Sequence, residues 1–88
     1  MDNLINALQE TIQFLQDSQD PIYSHLTVAE IIQQLEEELT KIKNSKPIDK
    51  NRLSLLFGPT ASIQETSIDN GWGQEFLELS SIVDNYLS

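Results

Sequence analysis

The run Leu26-Thr27-Val28-Ala29-Glu30-Ile31-Ile32-Gln33-Gln34-Leu35-Glu36-Glu37-Glu38-Leu39-Thr40-Lys41-Ile42-Lys43 decides the fold class. Thr27 followed three residues later by Glu30 is a capping-box pattern, and Leu26 with Ile31 can form a hydrophobic staple around it. Val28, Ile31, Ile32, Leu35, Leu39 and Ile42 fall within an arc of about 100° when plotted at the helical step. Glu37 and Lys41 stand in the favourable i,i+4 order. Lys41 and Lys43 complement the dipole in the last turn. Asn44-Ser45-Lys46-Pro47 ends the helix.

The same logic extends in both directions. Upstream, Leu4, Ile5, Leu8, Ile12 and Leu15 make one stripe of a helix over about Leu4 to Asp17, capped by Asn3 or Asp2. Phe14 lies off that stripe, beside Ala7. Ser18 to Pro21 breaks this helix. Downstream, Asp49 caps a short helix carrying Leu53, Leu55, Leu56 and Phe57, and Gly58 is placed for a left-handed stop before Pro59. Residues 60–70 give little stripe, because Ile63 and Ile68 are five apart. Ser62 with Glu65 offers a capping box there, and Asn70-Gly71 ends a helix or makes a turn. A last helix from about Gly73 to Tyr86 has Trp72, Phe76, Leu79, Ile82, Val83, Tyr86 and Leu87 around more than half its circumference. A helix apolar that far around is buried against several neighbours. The expected fold is all-α, a compact bundle of four to five short helices over residues 1–88, a single small helical domain with the last helix central.

Composition narrows the functional classes. The 88 residues hold 14 carboxylates and five bases, for a net charge of −9. All five bases, Lys41, Lys43, Lys46, Lys50 and Arg52, lie in one twelve-residue window. Nucleic-acid affinity rests largely on cations replacing counterions on phosphates, and an acidic body opposes it, as it opposes anionic lipid. Expected partners are therefore proteins, basic ones above all, with no nucleic acid and no membrane. No cysteine is present, which fits a reducing compartment. Met1-Asp2-Asn3 carries no leader pattern, so a cytoplasmic location is expected.

Each chemically suggestive group has a plain alternative. His25, beside Tyr23 and Ser24, is the one histidine and lacks the companions that a triad or a zinc site needs. Consecutive Glu36, Glu37 and Glu38 point about 100° apart on a helix and do not converge on one ion, so they read as the wet edge of the stripe. Asp69-Asn70-Gly71 fails the ligand spacing of a calcium loop. Glu75 and Glu78 lack the histidines of a di-metal bundle. No catalytic, cofactor or metal residue emerges, and no enzyme is expected.

The candidate partner-binding residues are Glu36, Glu37, Lys50, Arg52, Phe14 and Trp72. Trp72 in phase with Phe76 and Val83 reads as core, and Phe14 reads as core or interface. Lys50 and Arg52 sit in a first helical turn, where cations are disfavoured by about 0.3–1 kcal/mol each. They pair with the acidic body or form a contact patch. The stretches Phe57-Gly58-Pro59-Thr60 and Asn70-Gly71-Trp72-Gly73 are the most distinctive. The expected function is a non-catalytic interaction or regulatory module working through an acidic helical surface, such as an inhibitor or immunity-type protein masking a basic site. The alternative is a structural subunit of a homodimer or larger assembly.

Overall fold

A computed structural model describes residues 2–21, 25–59 and 61–88 of the chain. Met1, the Tyr23 and Ser24 neighbours of His25, and Thr60 of the Phe57–Thr60 stretch lie outside the described residues. Five α-helices follow one another: α1 (Asp2–Gln16), α2 (Val28–Lys43), α3 (Lys50–Leu56), α4 (Ser62–Asp69) and α5 (Gly73–Leu87). There is no strand among the described residues. The last helix is the central post: α5 packs against α1, α3 and α4, while α2 packs on α1 and touches α4. Its buried face is narrower than its apolar arc, since Phe76, Leu79 and Val83 are buried, Tyr86 and Leu87 are half-buried and Ile82 is exposed. Leu4, Leu8, Leu15, Ile31, Leu35, Leu53, Ile63 and Val83 are fully buried where these helices meet. Phe57 and Phe76 stack in the same core, with ring centroids 6.3 Å apart.

The start of α2 follows its sequence closely. Thr27 Oγ1 accepts the Glu30 N–H at 3.1 Å, and Glu30 Oε1 accepts the Thr27 N–H at 3.0 Å. Asp20 adds a third acceptor, taking the Val28 N–H at 2.7 Å. The Thr27 amide, and then its hydroxyl, hold the Glu30 carboxyl below the usual carboxylate range. A depressed folded-state pKa contributes stability that is present above the unfolded value and lost as pH falls through the folded one. Acid therefore loosens this cap.

Several local expectations are corrected. Helix α1 begins at Asp2, so Asn3 is helical rather than a cap. Its buried face runs through Leu4, Ala7, Leu8, Thr11, Ile12 and Leu15; Ile5 sits on the edge, half-buried. Thr11 is tolerated inside because its hydroxyl donates to the Ala7 carbonyl at 2.7 Å. Lys41 does not pair with Glu37 but with Glu38, one residue nearer. Ser62 is not a cap: it lies inside α4, whose N-cap Ala61 has no side-chain bond. Helix α4 buries Ile63 with Thr66 and Ser67, and the two hydroxyls donate to the Ser62 and Gln64 carbonyls.

Gly58 does not adopt the left-handed conformation expected of it. Its missing side chain instead lets the Ser54 carbonyl approach, since a Cβ there would lie 3.1 Å from that oxygen. The left-handed positions are Ser45 (φ 57°) and Gly71 (φ 83°). Each closes a Schellman motif. The Lys46 N–H reaches the Lys41 carbonyl at 2.8 Å after α2, and the Trp72 N–H reaches the Ser67 carbonyl at 2.8 Å after α4.

These two stops give opposite expected results. Ser45→Gly relieves a strained residue and should stabilise by about 0.5–1 kcal/mol, net of the looser unfolded chain. Gly71→Ala should destabilise by about the same amount, and through the backbone alone, because a Cβ there meets nothing within 4 Å. Urea midpoints measured at constant slope check both.

Candidate functional site

The charged residues of α2 and α3 gather around Glu38, which sequence reasoning left at the wet edge of the stripe. Its side chain is fully buried. One carboxylate oxygen accepts the Asp49 N–H at 2.7 Å, and the other takes Lys41 Nζ at 2.8 Å and Arg52 at 3.1 Å. The same Arg52 nitrogen binds Glu37 at 2.9 Å. Its bond to Glu37, reinforced by Glu38, holds the Arg52 guanidinium above its ordinary value. Asp49 in turn caps α3 by accepting the Arg52 N–H at 3.0 Å. A cation in the first turn of α3 is thus explained from inside the molecule: Arg52 staples α3 to α2.

That arrangement takes Glu37 and Arg52 out of the list of free contacts. Of the other candidates, Glu36 and Lys50 are exposed, and neither forms an ion pair within the described residues. Lys43 and Lys46 are likewise exposed without a carboxylate partner there. His25 is exposed beside a depression of about 470 Å³ between α2, α3 and the start of α4, lined also by Leu26, Leu55, Leu56 and Ala61. No group of three or more His, Cys, Asp or Glu among the described residues could hold a metal ion. No helix among them is long and apolar enough to cross a membrane.

The aromatic candidates meet each other. Trp72 is 4% exposed and stacks on Phe14 with centroids 4.9 Å apart and planes 12° from parallel. Trp72 therefore presents no free face; it is core. Its indole N–H donates to Ser18 Oγ at 2.9 Å, and that hydroxyl donates to the Phe14 carbonyl. Beside it, Asn70 clamps the α1–α2 connection. Its Oδ1 accepts the Gln19 N–H at 2.9 Å, while its Nδ2 donates to the Gln19 and Thr66 carbonyls.

Phe14 remains half-buried. With Glu10, Gln13 and Asp17 it lines a surface depression of about 360 Å³ on α1. Glu10 and Asp17 stand four residues before and three after Phe14, so helical geometry brings both carboxylates to the ring's side of α1. Both are exposed, and neither has a cation partner among the described residues. The sequence offered Phe14 as a candidate anchor but gave no reason to join Glu10 and Asp17 to it. The signal was their i−4 and i+3 spacing around an aromatic that breaks the core stripe.

Comparison of the chain with protein-family models, with curated proteins and with solved structures finds no match.

Proposed function

We propose that this protein is a non-catalytic interaction module that binds a basic protein through the outer face of α1. The observation that carries the reading is the Phe14 depression, flanked by Glu10 and Asp17. A lysine or arginine entering it meets two carboxylates and the face of the Phe14 ring turned away from Trp72, which holds the ring from behind. Cation–aromatic contact at an exposed site adds about 0.5–1 kcal/mol to the charge attraction. The surrounding field favours the same partner, because the net charge of −9 steers cationic surfaces inward and rejects phosphates. Within this class, masking the positive groove of a nuclease or toxin suits an acidic surface of this kind.

Titration of a Lys/Arg-rich peptide, followed through backbone amide shifts, tests the site. The largest changes should fall on Glu10, Gln13, Phe14 and Asp17 and fade as salt is raised. The pair Glu10→Lys/Asp17→Lys should weaken binding about tenfold or more, while Lys50→Glu should not weaken it. Shifts spread evenly over all the acidic helices, or binding indifferent to the double reversal, would defeat the proposal.

A further inference from the structure

The opposite edge of α1 carries a second, differently built surface. There the start of α1 lies beside the end of α2, and Ile5, Leu39, Thr40, Ile42 and Lys43 line a depression of about 370 Å³. A second depression, of about 520 Å³, continues along α2 past Ile32 and Glu36 and shares Thr40 with the first. Ile32, Leu39 and Ile42 are packed against the core yet only partly buried, and Ile5 is half-buried. The result is a trough along the outer side of α2 in which these aliphatic groups alternate with Gln33, Glu36, Glu37 and Thr40.

Charges of both signs line the trough. Glu36 lies near its middle and Lys43 at one end; both are exposed and neither has an ion-pair partner within the described residues. Seven residues are two helical turns, so both side chains stand on one face, about 10 Å apart along the axis. Leu39 and Thr40 are midway between them. In a twofold contact, residue i meets j while j meets i. An antiparallel α2 pair with its dyad between Leu39 and Thr40 therefore sets Glu36 against Lys43 of the other copy, twice, on either side of half-buried Leu39 and exposed Thr40. A simple basic helix fits this trough less well, because Lys43 would oppose it.

We infer that the half of the α2 trough from Glu36 to Lys43 is a homodimer interface, occupied by the same segment of a second copy in antiparallel register. The surface is separate from the Phe14 depression, so the dimer leaves that site open on both copies. Two chains of charge −9 repel at long range, but at physiological ionic strength that repulsion decays over about 8 Å. Short-range pairing then decides.

Sedimentation equilibrium of the whole chain at physiological salt, over concentrations from micromolar to about millimolar, tests the inference. The wild type should dimerise reversibly. Glu36→Lys alone and Lys43→Glu alone each replace two attractive contacts by two repulsive ones, and each should raise the dissociation constant about tenfold or more. The double variant Glu36→Lys/Lys43→Glu restores both pairs with reversed sign and should return to within about threefold of wild type. Thermal melts of the monomers confirm that these exposed changes leave folding intact. A monomer throughout the range overturns the inference, as does a dimer indifferent to either reversal. Failure of the double variant to recover overturns the antiparallel register. None of these results bears on peptide binding at Phe14, which is scored separately.

Discussion

Glu38→Ala should lower the unfolding free energy by about 3 kcal/mol, a large share of the roughly 4–13 kcal/mol expected for a domain this small. The carboxylate is fully buried and accepts three hydrogen bonds. Two of its donors have an escape: the Lys41 and Arg52 side chains are 35% and 30% exposed and can turn to water. The Asp49 N–H cannot be replaced so easily, and it belongs to the residue that caps α3. Loss of Glu38 therefore unpins α3 as well as opening a cavity in α2. The melting temperature should fall by roughly 12–24 °C, read by circular dichroism at the helical band. Glu38→Gln keeps the shape and the bond to the Asp49 amide but loses charge, and should cost about half as much. Glu37→Ala, at the exposed end of the same Arg52, should cost no more than about 0.5 kcal/mol. Equal losses at Glu37 and Glu38 would contradict the burial argument.

The second large effect is expected at Trp72. Trp72→Ala empties the space between Phe14, the α1–α2 connection and α5, and should cost about 3–5 kcal/mol. Trp72→Phe retains an aromatic partner for Phe14 but abandons the indole N–H bond to Ser18, and should cost about 2 kcal/mol. Denaturant titration separates the two. Because Phe14 rests on this ring, the same variants should also loosen the proposed lysine or arginine site. Peptide affinity should fall with Trp72→Ala even under conditions where the protein remains folded. Unchanged affinity in that variant would mean that Phe14 holds its place without the stack.

How much of this was legible from residues alone varied with how local the determinants are. Helix α2 was legible because its cap and its apolar stripe are both contained in eighteen consecutive residues. The width of the apolar arc of α5 pointed to its central position, although within α5 only Phe76, Leu79 and Val83 of that arc are buried and Ile82 is exposed. Helix α4 was poorly marked because Ile63 shares its buried face with Thr66 and Ser67, whose hydroxyls are satisfied by carbonyls of their own helix and so leave no hydrophobic period. The left-handed Ser45 had no marker either, since serine carries none of the preference that flags Gly71. Glu38 could not be read at all. Its burial is tolerable only because Asp49 and Arg52 arrive from the next helix, and nothing within α2 announces them. Among the candidate site residues, Arg52 stood out as a cation in a first helical turn, and Glu37 and Glu38 of α2 answer it. Phe14 gained its meaning only once Trp72 was seen behind it.

The clamp formed by Asn70 and Trp72 also governs the order in which this chain can become itself. Gln19 and Ser18 are held by residues 51 and 54 positions later in sequence. As the polypeptide leaves the ribosome, α1 and α2 emerge ahead of residues 66–72. The bend between them must wait, its polar groups served by water, until the α4–α5 corner arrives to fix it. The first helical hairpin is therefore a provisional structure during synthesis, and the second half of the chain sets the direction in which the first half turns.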